Sequence, residues 1–277
     1  MSFEVYALLL TAGIAGGYLS GLIGIGGGII YVFVIPYTLH FWNIPVEWQA
    51  QFTIANSLAA IFFSSLAANY AHYQKGYFFL KPVLIIGIGA IISSWVSLQF
   101  VVNTPLFSMK VFLICLILLM AYMLILTIKG AAVREDQSVE NIPTWALLMI
   151  GVVSGFVASA SGLGGGIVVI PFLNRFFKID IRKAGAIAIG VIMLSSFVMT
   201  IINSTSTLPL KITGTCGLII PVVCLVLSLS VIITSPIGVA SAHKMNPRWI
   251  SLFYAGFLLS IIMDKSIRLL FLLGYTS

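Results

Sequence analysis

Long apolar runs alternate with short polar breaks along the whole chain, and the length of the runs sets the architecture. Runs of about 18–25 residues suit helices that cross a bilayer, whereas the strands of a membrane barrel alternate over about 10 residues. The pattern predicts ten helical segments. In the first half they cover about 5–23, 26–41, 50–71, 82–102 and 106–128; in the second, about 144–161, 164–176, 184–203, 212–240 and 249–274. Trp42 and Trp48 flank the break after the second segment, as befits a membrane interface. The third segment is polar for a span, with Gln51, Thr53, Asn56, Ser57, Ser64, Ser65 and Asn69. Pro221 and Pro236 fall inside the ninth and are expected to kink it. The most polar connection, 130–143, reads as a linker between a first membrane repeat, 1–129, and a second, 144–277.

Composition agrees with the pattern. Of 277 residues, 60% are hydrophobic and 8% charged, where a soluble domain carries about 25% charged residues. The fold class is therefore an all-α polytopic membrane protein. The formal charge of +7 suggests no nucleic-acid partner, because the basic residues sit at segment ends. Their distribution decides topology. Segments one and two either cross separately or form a re-entrant hairpin, and so do six and seven. Either way, Lys75, Lys81, Lys129, Arg134, Arg175, Lys178, Arg182, Lys183, Lys244 and Arg248 share one side. Only Lys110, Lys211, Lys265 and Arg268 take the other. The positive-inside rule makes the first side cytoplasmic. The chain then sits in the inner (plasma) membrane with both termini outside the cytoplasm. The first run lacks the basic start of a removable signal peptide. Each half has odd parity, so the halves are expected to be inverted-topology repeats of about five segments each.

One motif occurs twice. Gly24-Ile25-Gly26-Gly27-Gly28 returns as Gly162-Leu163-Gly164-Gly165-Gly166, and each copy opens an apolar run that ends at a proline, Pro36 or Pro171. Gly-interrupted segments at matched places in two halves point to a transporter's binding site. Glycines also serve close helix packing, so the pairing, rather than either copy, carries the functional reading. A Gly-rich helix start exposes backbone N–H groups at the positive end of the helix dipole, which suits a small anion. Gly24, Gly26, Gly27, Gly28, Gly162, Gly164, Gly165 and Gly166 are therefore the candidate substrate-binding backbone, with Asn56, Ser57 and Ser161 as side-chain donors. Each of these three also suits plain interhelical bonding. Gln51, His72, Asp264 and Arg268 are further substrate or coupling candidates. Asp264 and Arg268 stand four apart on a helix and can pair.

Other chemistries fit poorly. The motif has neither the preceding strand of a dinucleotide fingerprint nor the Gly-Lys-Ser/Thr of a phosphate loop. Cys115, Cys216 and Cys224 lie in apolar runs and read as small buried hydrophobes. No cofactor or metal is expected. A serine in Ser159-Ala160-Ser161-Gly162 would need a nearby base to act as a nucleophile, and His243 lies at a segment end beside Lys244. The chain is not read as an enzyme.

The paired Gly-x-Gly-Gly-Gly motifs, together with Asn56-Ser57-Leu58 and Ala71-His72 closing the same segment, resemble the TauE/SafE sulfite-exporter family over essentially the whole chain. The resemblance implies a permease or exporter for sulfite, an organosulfonate or a related small anion. The partners it leaves are that substrate and the bilayer, with the coupling ion (H+ or Na+) and a homodimer undecided. An anion channel on the same scaffold and a carrier of small carboxylates are the alternatives. The triplet Ile189-Gly190-Val191 stands where the second half would repeat Asn56-Ser57-Leu58, so unequal side-chain contributions from the halves are expected.

Overall fold

The computed structural model describes residues 3–102, 109–130, 138–139, 142–206 and 212–274. They form helices α1 (Phe3–Ile23), α2 (Gly28–Thr38), α3 (Gln49–Gln74), α4 (Leu80–Ser97), α5 (Met109–Gly130), α6 (Thr144–Ser161), α7 (Gly166–Phe177), α8 (Ile181–Thr205), α9 (Pro221–Lys244) and α10 (Pro247–Gly274). A 3-10 turn, Leu39–Trp42, extends α2, and a π-helical turn, Leu98–Val102, extends α4. No strand is present among the described residues. Seven of the helices (α1, α3, α4, α6, α8, α9 and α10) are long and apolar enough to cross a membrane. The helical bounds follow the apolar runs closely, with one correction. Residues 212–220 are not helical; they form turns closed by a Cys216–Ile219 bridge. Pro221 therefore starts α9, where its missing N–H costs nothing, instead of kinking it. Cys216, expected to share a helix with Cys224, is exposed in that segment, and Cys115 is exposed as well.

Small residues set the closest packing. Gly13, Gly17 and Gly21 line α1 against Ser230, Thr234 and Ser235 of α9. Gly151 and Gly155 do the same for α6 against Ile86 and Ala90 of α4. Without a hydrophobic driving force between helices in lipid, such close backbone approach is what holds spans together. Many hydroxyls inside the spans bond within their own helix: Ser196 donates to Ile192 O (2.6 Å) and Thr53 to Gln49 O (2.6 Å). At the centre, α3 packs antiparallel on α8, with Phe62 against Phe197 (5.2 Å between ring centroids) and Asn69 Nδ2 3.6 Å from Met193 Sδ.

The basic turns gather at one end of the bundle. The His243 ring meets His72 and Tyr77, which joins the α3–α4 turn to the end of α9. Arg182 at the start of α8 donates from Nη2 to Met245 O (2.5 Å). Phe78, Phe79 and Lys81 share a cavity of about 230 Å³ with Val139, Ile142 and Thr144, so the described part of the linker lies at the same end. Residues 131–137 and 140–141 of the linker lie outside the described residues.

Candidate functional site

The two glycine motifs are built alike and touch each other. Helices α1 and α6 both stop at a left-handed glycine: Gly24 (φ 88°) donates its N–H to Ser20 O, and Gly162 (φ 69°) to Ala158 O, each at 2.9 Å. Only glycine takes this conformation without strain, and it turns the chain sharply into the next helix. α2 then runs for 11 residues and α7 for 12. At 1.5 Å per residue that is about half of a hydrocarbon core roughly 30 Å thick. A methyl on Gly28 would stand 2.7 Å from Leu163 O, and one on Gly166 would stand 2.8 Å from Gly24 O. The motifs are in backbone contact because neither carries a side chain there.

Their depth follows from what surrounds them. Ile61 lies at the midpoint of α3 and Ile192 at that of α8. A methyl on Gly26 would stand 2.9 Å from Ile61 and 3.2 Å from Ile192; one on Gly164, 3.5 and 3.3 Å. The two isoleucines cover both motifs. Among the described residues, Gly26, Gly27, Gly28, Gly164, Gly165 and Gly166 donate no N–H to another backbone or side-chain group. They are the free donors of two helix starts facing one another.

Ser57 joins the two copies. Its hydroxyl donates to Gly162 O at 2.6 Å and lies 3.4 Å from Gly28 O. Ser57→Ala removes this clamp and is expected to cost about 0.5–1.5 kcal/mol, read as a lower melting temperature of the detergent-solubilised protein. Asn56 has a different task. Its Nδ2 donates to Phe52 O (2.8 Å) and Leu218 O (3.0 Å), while Oδ1 accepts from Ile220 N (2.7 Å), with Cys224 Sγ at 3.5 Å. The amide is fully used in pinning the segment before α9 and has no N–H left for a ligand in this conformation. Ser161 is likewise engaged, donating to Val157 O (2.6 Å) and lying 3.3 Å from Leu163 N, which donates to it.

Other candidates lie apart from the motifs. Gln51 is buried in the first turn of α3, and His72 is buried near its other end. Asp264 pairs with its neighbour Lys265 at 3.3 Å. The expected partner Arg268 is on α10, but its side chain lies outside the described residues. Lys265 is fully buried, and its ammonium stands 5.0 Å from the ring centroid of Phe33 on α2. A cation kept inside the bundle is stabilised by both the carboxylate and the ring face.

Two groups next to the motifs were missed by sequence reasoning. Tyr31 Oη lies beside Ser64 and between Gly16 and Gly27, without a hydrogen bond of good geometry among the described residues. Ser154 Oγ stands against Gly165 and also has no partner among them. Neither had a counterpart in the other half to mark it: Val169 takes the place of Tyr31 in the second repeat, and Gly16 that of Ser154 in the first.

A family model described as sulfite exporter TauE/SafE matches residues 9–264. The chain belongs to the TauE/SafE family. Among its relatives is a probable membrane transporter protein of Methanocaldococcus jannaschii, 29% identical over 256 residues, covering 91% of each chain. A probable membrane transporter protein of Haemophilus influenzae is 25% identical over 269 residues, covering 96% of this chain and all of that one. A third, YunE of Bacillus subtilis, is 25% identical over 209 residues, covering 69% and 75%. No solved structure matches significantly. This TauE/SafE member is thus a multi-pass membrane transporter and not an enzyme.

Proposed function

We propose that the protein carries a small sulfur-containing anion, such as sulfite or an organosulfonate, across the inner membrane, and binds it at mid-depth between the two glycine motifs. The observation that carries this reading is the direct contact of two helix starts whose glycine N–H groups have no other acceptor among the described residues. Two facing N-termini stabilise an anion without a lysine, so release does not have to break a buried ion pair. Gly24, Gly26, Gly27 and Gly28 act with Gly162, Gly164, Gly165 and Gly166; Tyr31 and Ser154 add hydroxyl donors. Ser57, Ser161 and Asn56 hold the motifs and the α9 approach in place. Ile61 and Ile192 close the site on both sides, as a carrier's occluded state requires and a continuous channel does not.

The halves 1–129 and 144–277 act as inverted repeats in this reading. The antiparallel pairing of α3 with α8 supports it, as does the exchange of partners, α1 on α9 and α6 on α4. The hairpins α1–α2 and α6–α7 then enter from opposite faces, and the basic end is cytoplasmic. Single cysteines at Lys75, Lys178 and Asn246 are expected to resist an impermeant thiol reagent applied from outside the cell. Labelling at two of the three overturns the orientation.

The test of function is flux in proteoliposomes together with melting curves across sulfite, thiosulfate, sulfonates, sulfate and carboxylates. A ligand of the folded state raises its melting temperature by mass action. Saturable uptake with counterflow is the expected result; unsaturable conductance identifies a channel, and stabilisation by carboxylates alone replaces the substrate class.

A further inference from the structure

A second cluster of unused polar groups lies away from the motif contact, at the basic end. His72 on α3 is only 3% exposed, yet neither of its ring nitrogens has a partner among the described residues. Arg182 Nε and His243 Nε2 are also buried and unpartnered among them. The two imidazoles stand 5.6 Å apart between centroids. All three side chains line one cavity of about 10 Å³, whose inner wall is Gly21–Gly24 at the start of the first motif. Orphaned nitrogens of this kind cost stability unless something meets them. Four of them around one space point to a ligand.

The chemistry of the wall selects its sign. Two imidazoles and a guanidinium converge, and the N-terminus of α8 adds its positive dipole end. Lys75 acts on both histidines, and Asp180 acts on His243 as the acidic neighbour. That carboxylate is engaged as the α8 cap, accepting from Arg182 N at 2.8 Å. From α1 the cavity receives only uncharged residues, and from α10 it receives Ile250, with Arg248 exposed nearby. We propose that His72, Arg182 and His243 form a second oxyanion subsite at the basic end, which takes its anion together with one proton from solution. Two neighbouring imidazoles beside Lys75 and Arg182 repel an added proton, and an anion between them removes that repulsion. The present space holds no more than a water. Arg182 and His243 are both half-buried, and an ion larger than water would enter by their swinging outward.

The use of this subsite in transport rests on the proposed anion function; its existence does not. The probe is sulfate, which keeps its charge across neutral pH, titrated into the detergent-solubilised full chain between pH 6 and 8. Wild-type affinity is expected to rise by up to about tenfold per unit fall in pH. His72→Gln should flatten that slope, and Arg182→Gln should weaken binding at least tenfold at every pH. The half-buried His243→Asn serves as a second probe of the slope if His72→Gln fails to fold. Gly164→Ala, which alters the motif contact, should keep the slope. A slope lost in Gly164→Ala but kept in the histidine variants overturns the subsite while leaving the mid-depth site standing. Sulfate that fails to bind the wild type overturns the subsite outright, whereas transport that fails with the slope intact overturns only the proposed function.

Discussion

Gly28→Val and Gly166→Val are each expected to abolish measurable transport of the proposed anion, while Gly256→Ala is expected to leave it unchanged. Both glycines sit at the first position of a helix with ordinary backbone angles, so valine meets no conformational barrier there. The new Cβ at 28 meets Ile61 Cδ1 and, behind it, Leu163 O at 2.7 Å; that at 166 meets Ile192 Cδ1 and Gly24 O at 2.8 Å. A carbonyl cannot rotate away as a side-chain tip can. Overpacking of this kind costs about 1–3 kcal/mol, and it is relieved by parting the two helix starts that the proposed anion site needs together. Gly256 on α10 has nothing within 4 Å of an added methyl, which makes it the control. Transport by Gly28→Val within about threefold of wild type, in protein with a normal elution profile, would remove the motif contact from the mechanism.

Asn56→Ala gives the second large effect, on stability. It strips partners from Ile220 N and Leu218 O at once, in a place where water cannot replace them. An unsatisfied buried group costs about 1–3 kcal/mol, so the pair should cost roughly 2–5 kcal/mol. The thiol of Cys224, 3.5 Å from Asn56 Oδ1, supplies a local readout. With Cys115 and Cys216 replaced by serine, Cys224 should react slowly in otherwise native protein and at least tenfold faster in Asn56→Ala. Unchanged melting and labelling would show that the amide does not hold the segment.

The spans were legible because bilayer thickness leaves few choices: helix lengths follow the apolar runs at every segment but the ninth. There, residues 212–220 are apolar enough to read as helix, and it is a pair of turns pinned by the tertiary bond to Asn56 that takes its place. The twofold glycine motif was legible as a repeat, and so was its place at two helix starts. How the polar side chains bond across the bundle was not. Asn56 finds its partners more than 160 residues away, and His72 meets His243 across a similar separation. A single sequence carries no trace of such pairings. The Asp264–Lys265 pair joins sequence neighbours that spacing along one helix face does not single out, and the Lys265 ammonium lies over Phe33 of α2, a contact no single helix predicts.

The contact between Gly28 and Leu163, and between Gly166 and Gly24, has a mechanical meaning as well as a chemical one. Interdigitated side chains lock two surfaces against both separation and sliding. Bare backbone against bare backbone resists separation, through close dispersion contact, and leaves sliding to be opposed by the Ser57 hydroxyl and the two covering isoleucines. The centre of this molecule is thus a plain bearing. In the proposed carrier, one half would rock against the other at this contact, with Ile61 and Ile192, which cover the glycines, setting the resistance to that motion.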